Sequence, residues 1–308
     1  ERCGLVVKQF KADVRVSPTE TICKNLLLQT NNSTLEDYYA MHYSRFPDFL
    51  DYINKVVMVA NLKKSKVDSK DVAYFATALR EYPTIITISG SAKGTVANIQ
   101  AKNLLLSDGQ TIIKGNLKMV GLPDINKTLI DYNNGELITS GNGILKYAPG
   151  LKNNPSVSIS SITRAYFKGD FKGYINNFVL NGTIVSNLGT IVSNVKMKIA
   201  PGRNGMTDYT GNVKVNDLNL GVLLKQPDLG TVTLNADVDG RQSKAEGTDV
   251  NFKTIIQHIE YRNYAYTGIN ADGKLEKEKF TGNLLIADSN VSMGFYGLFD
   301  FSQEKLKI

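Results

Sequence analysis

Catalysis and metal binding need groups that take protons, ligate ions or attack carbon, and this chain of 308 residues offers few of them. It has two histidines, His42 and His258, and two cysteines, Cys3 and Cys23. The histidines lie far apart with no companion at ligand spacing, so neither a zinc set nor a histidine acid–base pair can be drawn. Each reads as an ordinary surface or boundary residue. The cysteines form no metal or redox motif. If Ser17-Pro18-Thr19-Glu20 turns a hairpin, Cys23 falls across from Val14 and far from Cys3. That predicts two inert, partly buried thiols rather than a disulfide. No nucleophile and base can be paired. The expectation is a protein that is not an enzyme and holds no cofactor or metal.

What the chain does have is period-two patterning. In 230–240 the residues Gly230, Val232, Leu234, Ala236, Val238 and Gly240 fall on one face, and Thr231, Thr233, Asn235, Asp237 and Asp239 on the other. Strict alternation of this kind specifies a β-strand with one apolar and one wet side. Ile191, Val195, Met197 and Ile199 repeat it, as do Val213 and Val215, and Met293, Phe295 and Phe299 near the end of the chain. Gly115-Asn116-Leu117, leading to Met119, belongs to a signature of Gly, then Thr or Asn, then an aliphatic residue. It recurs at Gly94, Gly182, Gly189, Gly211, Gly230 and Gly282. A glycine two residues from an aliphatic one notches the apolar face and lets the sheet curve.

The elements that carry these residues can be taken in order. Phe10, Ala12, Val14 and Val16 alternate with Lys11, Asp13 and Arg15 and lead into the Ser-Pro turn, which predicts an opening hairpin. Pro47 to Ile53 reads as a helical turn before a strand over Val56–Leu62. A helix is predicted near 69–81, capped by Asp68 or Ser69, with Asp71 suiting its positive end and Val72, Phe75, Ala76 and Leu79 on one face. It would cover one end of a sheet. From Ile85 onward the chain reads as strand and turn, interrupted by short insertions at Gly121–Asn126 and Leu220–Pro227. The stretch Ala148–Ser156 is the candidate seam, dividing the chain into residues 1–148 and 149–308 of one continuous style.

Composition narrows the function classes. Apolar residues make up 42% and charged residues 21%, which describes a folded chain rather than a disordered one. No apolar run approaches the roughly 18 residues of a spanning helix. The opening ERCGLVVKQF lacks the features of a signal peptide and begins without Met, so a mature product or a fragment is expected. The net charge of +7 suits an anionic partner such as lipid headgroups. Nucleic acid is disfavoured, because the lysines are scattered along strands rather than clustered with aromatics and there is no Trp.

Period-two strands alone fit a closed β-sandwich as well as an open trough. A membrane barrel fits less well, since the aromatics show no girdle placement. Several segments, however, resemble the AsmA-like/TamB superfamily of Gram-negative envelopes. They are SKVDSKDVAYFATAL (65–79), ISGSAKGTVANIQAKNLLL (88–106), LNGTIVSNLGTIVSNVKMKI (180–199), YTGNVKVNDLNLGVLLKQPDLGTVTLNADVDG (209–240) and FTGNLLIADSNVSMGFYGLFDF (280–301). The resemblance spans essentially the whole chain through the order of these phrases.

That resemblance implies a long, antiparallel, strongly twisted sheet curled into a hydrophobic groove, a β-taco, with one or two short helices. It implies a place in the periplasm, inner-membrane anchored in the full-length protein, of which this chain would be an internal piece. It also implies a role in moving phospholipid between inner and outer membranes, or in outer-membrane biogenesis and protein secretion, where an outer-membrane barrel protein is a partner. The expected groove lining is Val14, Leu117, Met119, Ile191, Val195, Met197, Ile199, Val213, Val215, Val232, Leu234, Val238, Met293, Phe295 and Phe299. The expected guests are lipid acyl chains. A different class of function, a scaffold that adds a sheet edge to a client strand, fits the same pattern.

Overall fold

The computed structural model describes residues 4–74, 83–152, 157–200, 205–243 and 245–302. The chain is mainly β, with seventeen strands, the registered pairs all antiparallel, and a few short helices. It divides into two compact units, one of Glu1–Ile138 with Asp170–Ile175 and the other of Thr139–Gly169 with Asn176–Ile308. The division falls after Ile138, and Asp170–Ile175 goes with the first unit.

The first unit is a meander. β1 (Val7–Ser17), β2 (Glu20–Thr30), β3 (Thr34–His42) and β4 (Val57–Asp68) are followed by β5 (Ile85–Thr95), β6 (Asn98–Ser107), β7 (Ile112–Val120) and β8 (Leu129–Thr139). Each strand pairs antiparallel with the next. The expected hairpin is present. The Ser17 hydroxyl accepts the Glu20 N–H at 3.1 Å, and Val14 lies opposite Cys23. Cys23 is buried, and burial raises the pKa of its thiol. Cys3 lies outside the described residues.

A line of left-handed residues bends this meander. Asn25, Asp37, Lys64, Asn103 and Asn134 have φ of 50, 99, 51, 50 and 51°, and each sits at or beside a break in strand register. An L-residue pays for that conformation, and Asn does so most cheaply because its side chain can bond locally. At three of these bulges the freed amide is taken up by a neighbouring side chain. Lys64 N–H donates to Ser89 Oγ at 3.0 Å, Asn103 N–H to Asn116 Oδ1 at 3.2 Å, and Asn134 N–H to Asp170 Oδ1 at 2.9 Å. Bulges aligned from strand to strand give the curl that a flat ladder lacks.

In the second unit, β9 (Ala165–Tyr174, its last residues counted with the first unit) and β10 (Asn177–Ser186) precede β11 (Gly189–Ile199) and β12 (Thr207–Asn219). β13 (Leu229–Ser243), β14 (Gly247–Tyr261), β15 (Tyr264–Glu276), β16 (Lys279–Ala287) and β17 (Ser292–Asp300) follow. From β10 to β17 each strand pairs antiparallel with its successor. Among the described residues no register joins β17 back to β10 or β8 back to β1, and the sheet is curled, not closed.

Four short helices are described where one or two were expected: α1 (Tyr52–Lys55), α2 (Ser69–Val72), α3 (Gly141–Tyr147) and α4 (Leu220–Leu224). A 3-10 turn over Phe46–Asp51 precedes α1, matching the expected helical turn. Asp68 caps α2 by accepting Lys70 N–H at 2.8 Å; the predicted face residues Phe75, Ala76 and Leu79 lie outside the described residues. Asp71 does something other than meet the helix dipole. Its buried carboxylate accepts the Thr30 hydroxyl and the Asn32 side-chain N–H, the latter at 2.9 Å. Helix α3 was not expected at all. Its Ser140 cap accepts Gly143 N–H at 3.3 Å, and Gly141 presses so close to the Ile159 carbonyl that a Cβ would clash. Of the stretch Ala148–Ser156, Pro149–Leu151 form a 3-10 turn and residues 153–156 are outside the described residues.

Candidate functional site

The strand registers of the second unit align the apolar residues into cross-strand rows. One row runs Ile184, Ile191, Val215, Leu234, Ile256, Ile269, Ile286 and Met293. The next runs Gly182, Ser193, Val213, Ala236, Thr254, Ala271, Leu284 and Phe295. Beside it lie Leu180, Val195, Gly211, Val238, Phe252, Gly273, Gly282 and Gly297. The last runs Phe178, Met197, Tyr209, Gly240, Val250, Leu275, Phe280 and Phe299. Strands about 4.8 Å apart carry these rows across eight strands, roughly 34 Å of nearly uninterrupted apolar surface.

The face is not uniform in accessibility. At one end Val215 and Val232, at 7% and 1% exposure, are locked into a core with Leu188 and Leu218. Leu220 and Leu223 of α4 and Ile162 cover that core. Val215 and Val232 of the expected lining are thus packed into the protein's own core. The reason is α4: the insertion after Asn219 folds back over this end of the face. Ile191, Val213 and Leu234 pack against the same core and stay half-buried. Further along, Val195, Met197, Val238, Phe295 and Phe299 are half-buried, and their outward neighbours are exposed except Asp300. Ile199 and Met293, at 37% and 38%, lie at the rim.

Phenylalanine rings lie close over two other glycines of this face, Gly273 and Gly297. A Cβ on Gly273 would stand 2.8 Å from the Phe280 ring, and one on Gly297 would stand 3.2 Å from the Phe295 ring. Phe252 and Phe280 have centroids 5.8 Å apart, and Phe295 stacks on Phe299 at 3.8 Å. The result is a floor smoothed by aromatic rings lying over glycine, a known device for filling a strand glycine. Phe252, Ile256, Ile269, Phe280 and Leu284 belong to this face and were not singled out from the sequence. Their signal was the same alternation, as in Val250, Phe252, Thr254 and Ile256.

The first unit has corresponding rows. Val14, Cys23, Tyr39, Ala60, Ala92, Ala101, Leu117 and Tyr132 align, as do Val16, Thr21, Met41, Met58, Gly94, Ile99, Met119 and Ile130. Leu117 and Met119 are half-buried here, whereas Val14 on β1 is 49% exposed.

The opposite face of the second unit is polar. Asn181, Asn194, Asn212, Asp237, Lys253, Asp272 and Asn283 form one of its rows. Asn212 Nδ2 donates to Asp237 Oδ1 at 2.8 Å and Asn235 Oδ1 at 3.0 Å. A shallow concavity on this side is lined by Lys196, Asp239, Lys253 and Lys274 among others. The histidines sit at the surface or boundary. His42 Nδ1 is 3.3 Å from Glu20, and His258 Nε2 is 3.6 Å from Asp217. Glu260 beside His258 is held below the usual carboxylate range, chiefly by the Thr231 N–H it accepts at 2.7 Å. Among the described residues no group of three or more metal-ligating side chains gathers, and no helix is long and apolar enough to cross a membrane. Comparisons with protein-family models, with curated proteins and with solved structures find no match to this chain.

Proposed function

We propose that this chain carries the acyl tails of phospholipid or a similar lipid along its apolar sheet face, as a segment of a bridge between the two membranes of a Gram-negative envelope. The supporting observation is the run of apolar rows over β10–β17, whose middle residues stay half-buried rather than sealed. A sandwich core would bury Val195, Val238 and Phe295 as fully as Val232 is buried. Each CH₂ drawn from water onto such a face gains about 0.8 kcal/mol, so a few carbons in contact hold a tail. Rows of similar residues repeated every strand present near-equal sites, and equal sites let a tail slide instead of trapping it. The polar face keeps its Asn, Asp and Lys in water.

The test is a charge on the floor. Val195→Arg in the intact protein should lower the lipid recovered with the purified protein by about tenfold or more, given the cost of an arginine in an apolar medium. Lys196→Glu, on the wet face, should leave it unchanged. Equal lipid in both variants would end the reading.

A second reading rests on β1, which has a single strand partner within its unit and leaves Val7, Phe10, Val14 and Val16 about half exposed. An edge of that kind suits addition of a client strand, as a scaffold for outer-membrane proteins requires. A proline at Phe10 would weaken client binding under that reading and leave lipid recovery intact.

A further inference from the structure

The connection between β3 and β4 ends in an apolar tip that the rest of the fold does not use. Phe46, Leu50 and Ile53, at i, i+4 and i+7 along the 3-10 turn and α1, are 68%, 93% and 40% exposed. Leu50 touches almost nothing. The tip is nevertheless built to stay in place. The buried Asp48 carboxylate accepts the Ser44 and Arg45 N–H groups at 3.0 and 3.1 Å. Phe49 packs on buried Tyr43 at 4.7 Å between centroids, and Tyr43 hydroxyl donates to the Ser17 carbonyl at 3.0 Å. Tyr52 and Tyr39 hydroxyls meet at 2.7 Å.

Two backbone bonds tie this tip to the neighbouring connections of the same unit. Ala97 N–H donates to the Ile53 carbonyl at 3.0 Å, and Gly121 N–H donates to the Ala97 carbonyl at 2.8 Å. That brings Ile125, 43% exposed, to the same end. Charges alternate around it. Arg45 pairs with Asp48 at 3.6 Å, Lys127 pairs with Asp124 at 3.3 Å, Asp51 accepts the Asn54 side chain at 2.7 Å, and Lys55 is exposed.

We propose that this tip inserts into the surface of a phospholipid bilayer. A convex leucine with nothing around it asks a protein partner for a matching socket, whereas hydrocarbon closes around any shape. The order of groups also fits a bilayer interface: Leu50 and Phe46 outermost, then a ring of interspersed cations and anions. Tyr43 and Tyr52 lie beneath. Because Arg45, Lys55 and Lys127 are matched by Asp48, Asp51 and Asp124, the patch suits zwitterionic headgroups and depends little on anionic lipid. The inference stands on the geometry of this turn and does not require lipid on the apolar sheet face.

The chain has no tryptophan, so Leu50→Trp supplies a single reporter at the outermost point. Leu50 is so exposed that the exchange leaves the fold untouched; Lys198→Trp, exposed on a wet strand face, serves as control. With phosphatidylcholine vesicles, Trp at position 50 should shift to the blue and be quenched by lipids brominated high on the acyl chain, while Trp at 198 stays unchanged. Leu50→Ser should reduce flotation with these vesicles by about tenfold, with little effect of salt. Emission at position 50 indifferent to vesicles, or flotation unchanged by Leu50→Ser, would overturn the proposal. Loss of tip insertion with lipid recovery intact would refute this inference alone, and the reverse would refute only lipid carriage on the apolar face.

Discussion

At the scale of single residues, the fold is pinned by carboxylates that replace water with protein donors. Desolvation works to raise the pKa of Asp71, but hydrogen bonds from Ser33, Thr30 and Asn32 outweigh it and hold the group below the ordinary range. A depressed folded value means stability that is present above the unfolded pKa of about 3.9 and is lost as pH falls through the folded value. Denaturant midpoints measured at pH 5 and pH 2.5 should therefore fall further for wild type than for Asp71→Asn. Asp71→Ala at neutral pH, which strands the Thr30 and Asn32 donors, should cost about 2–4 kcal/mol in the same assay. The acidic position was legible in the sequence as a helix-start residue. Its real partners lie some forty positions away at Thr30 and Asn32, a separation that local pattern does not encode. Asp288 is a similar anchor, drawn well down first by the Tyr264 hydroxyl and also bonded by Asn290 and Thr267.

At the scale of elements, bends matter more than strands. The left-handed residue of β6, Asn103 with φ of 50°, donates its N–H to Asn116. Asn103→Gly should be tolerated within a few tenths of a kcal/mol. Asn103→Val should cost about 1–3 kcal/mol, because a branched residue resists that backbone region. Thermal or urea unfolding of the two variants checks this. In the second unit, Gly273→Val should destabilise by about 2 kcal/mol or more, because its side chain would run into the Thr281 carbonyl and the Phe280 ring. Strand identity was readable because alternation is local, as in Val232, Leu234 and Val238. The opening hairpin was readable because Ser17-Pro18 is turn chemistry. Bulge residues were not: Asn25, Lys64 and Asn103 look like ordinary wet-face polar residues until register shows the slip. Helix α3 was hidden by glycines at 141 and 143, which argue against a helix unless one knows that Gly141 must approach the Ile159 carbonyl.

At the scale of the molecule, each unit curls a meander so that one face is apolar and the other wet. The candidate site was legible as a face but not as a surface of graded access. Alternation cannot tell Val232, sealed beneath α4, from Val238, which remains half-buried on the same strand. The lipid reading depends on that second class of residue being open to a guest. Phe295 and Tyr296 separate the possibilities most sharply, being adjacent on β17 and pointing to opposite faces: Phe295 is half-buried beside Phe299, and Tyr296 is 84% exposed. A photo-reactive residue placed at 295 in living cells should form lipid adducts detectable by mass spectrometry, and the same residue at 296 should form none. Adducts confined to protein, or equal lipid labelling from the two positions, would contradict the account.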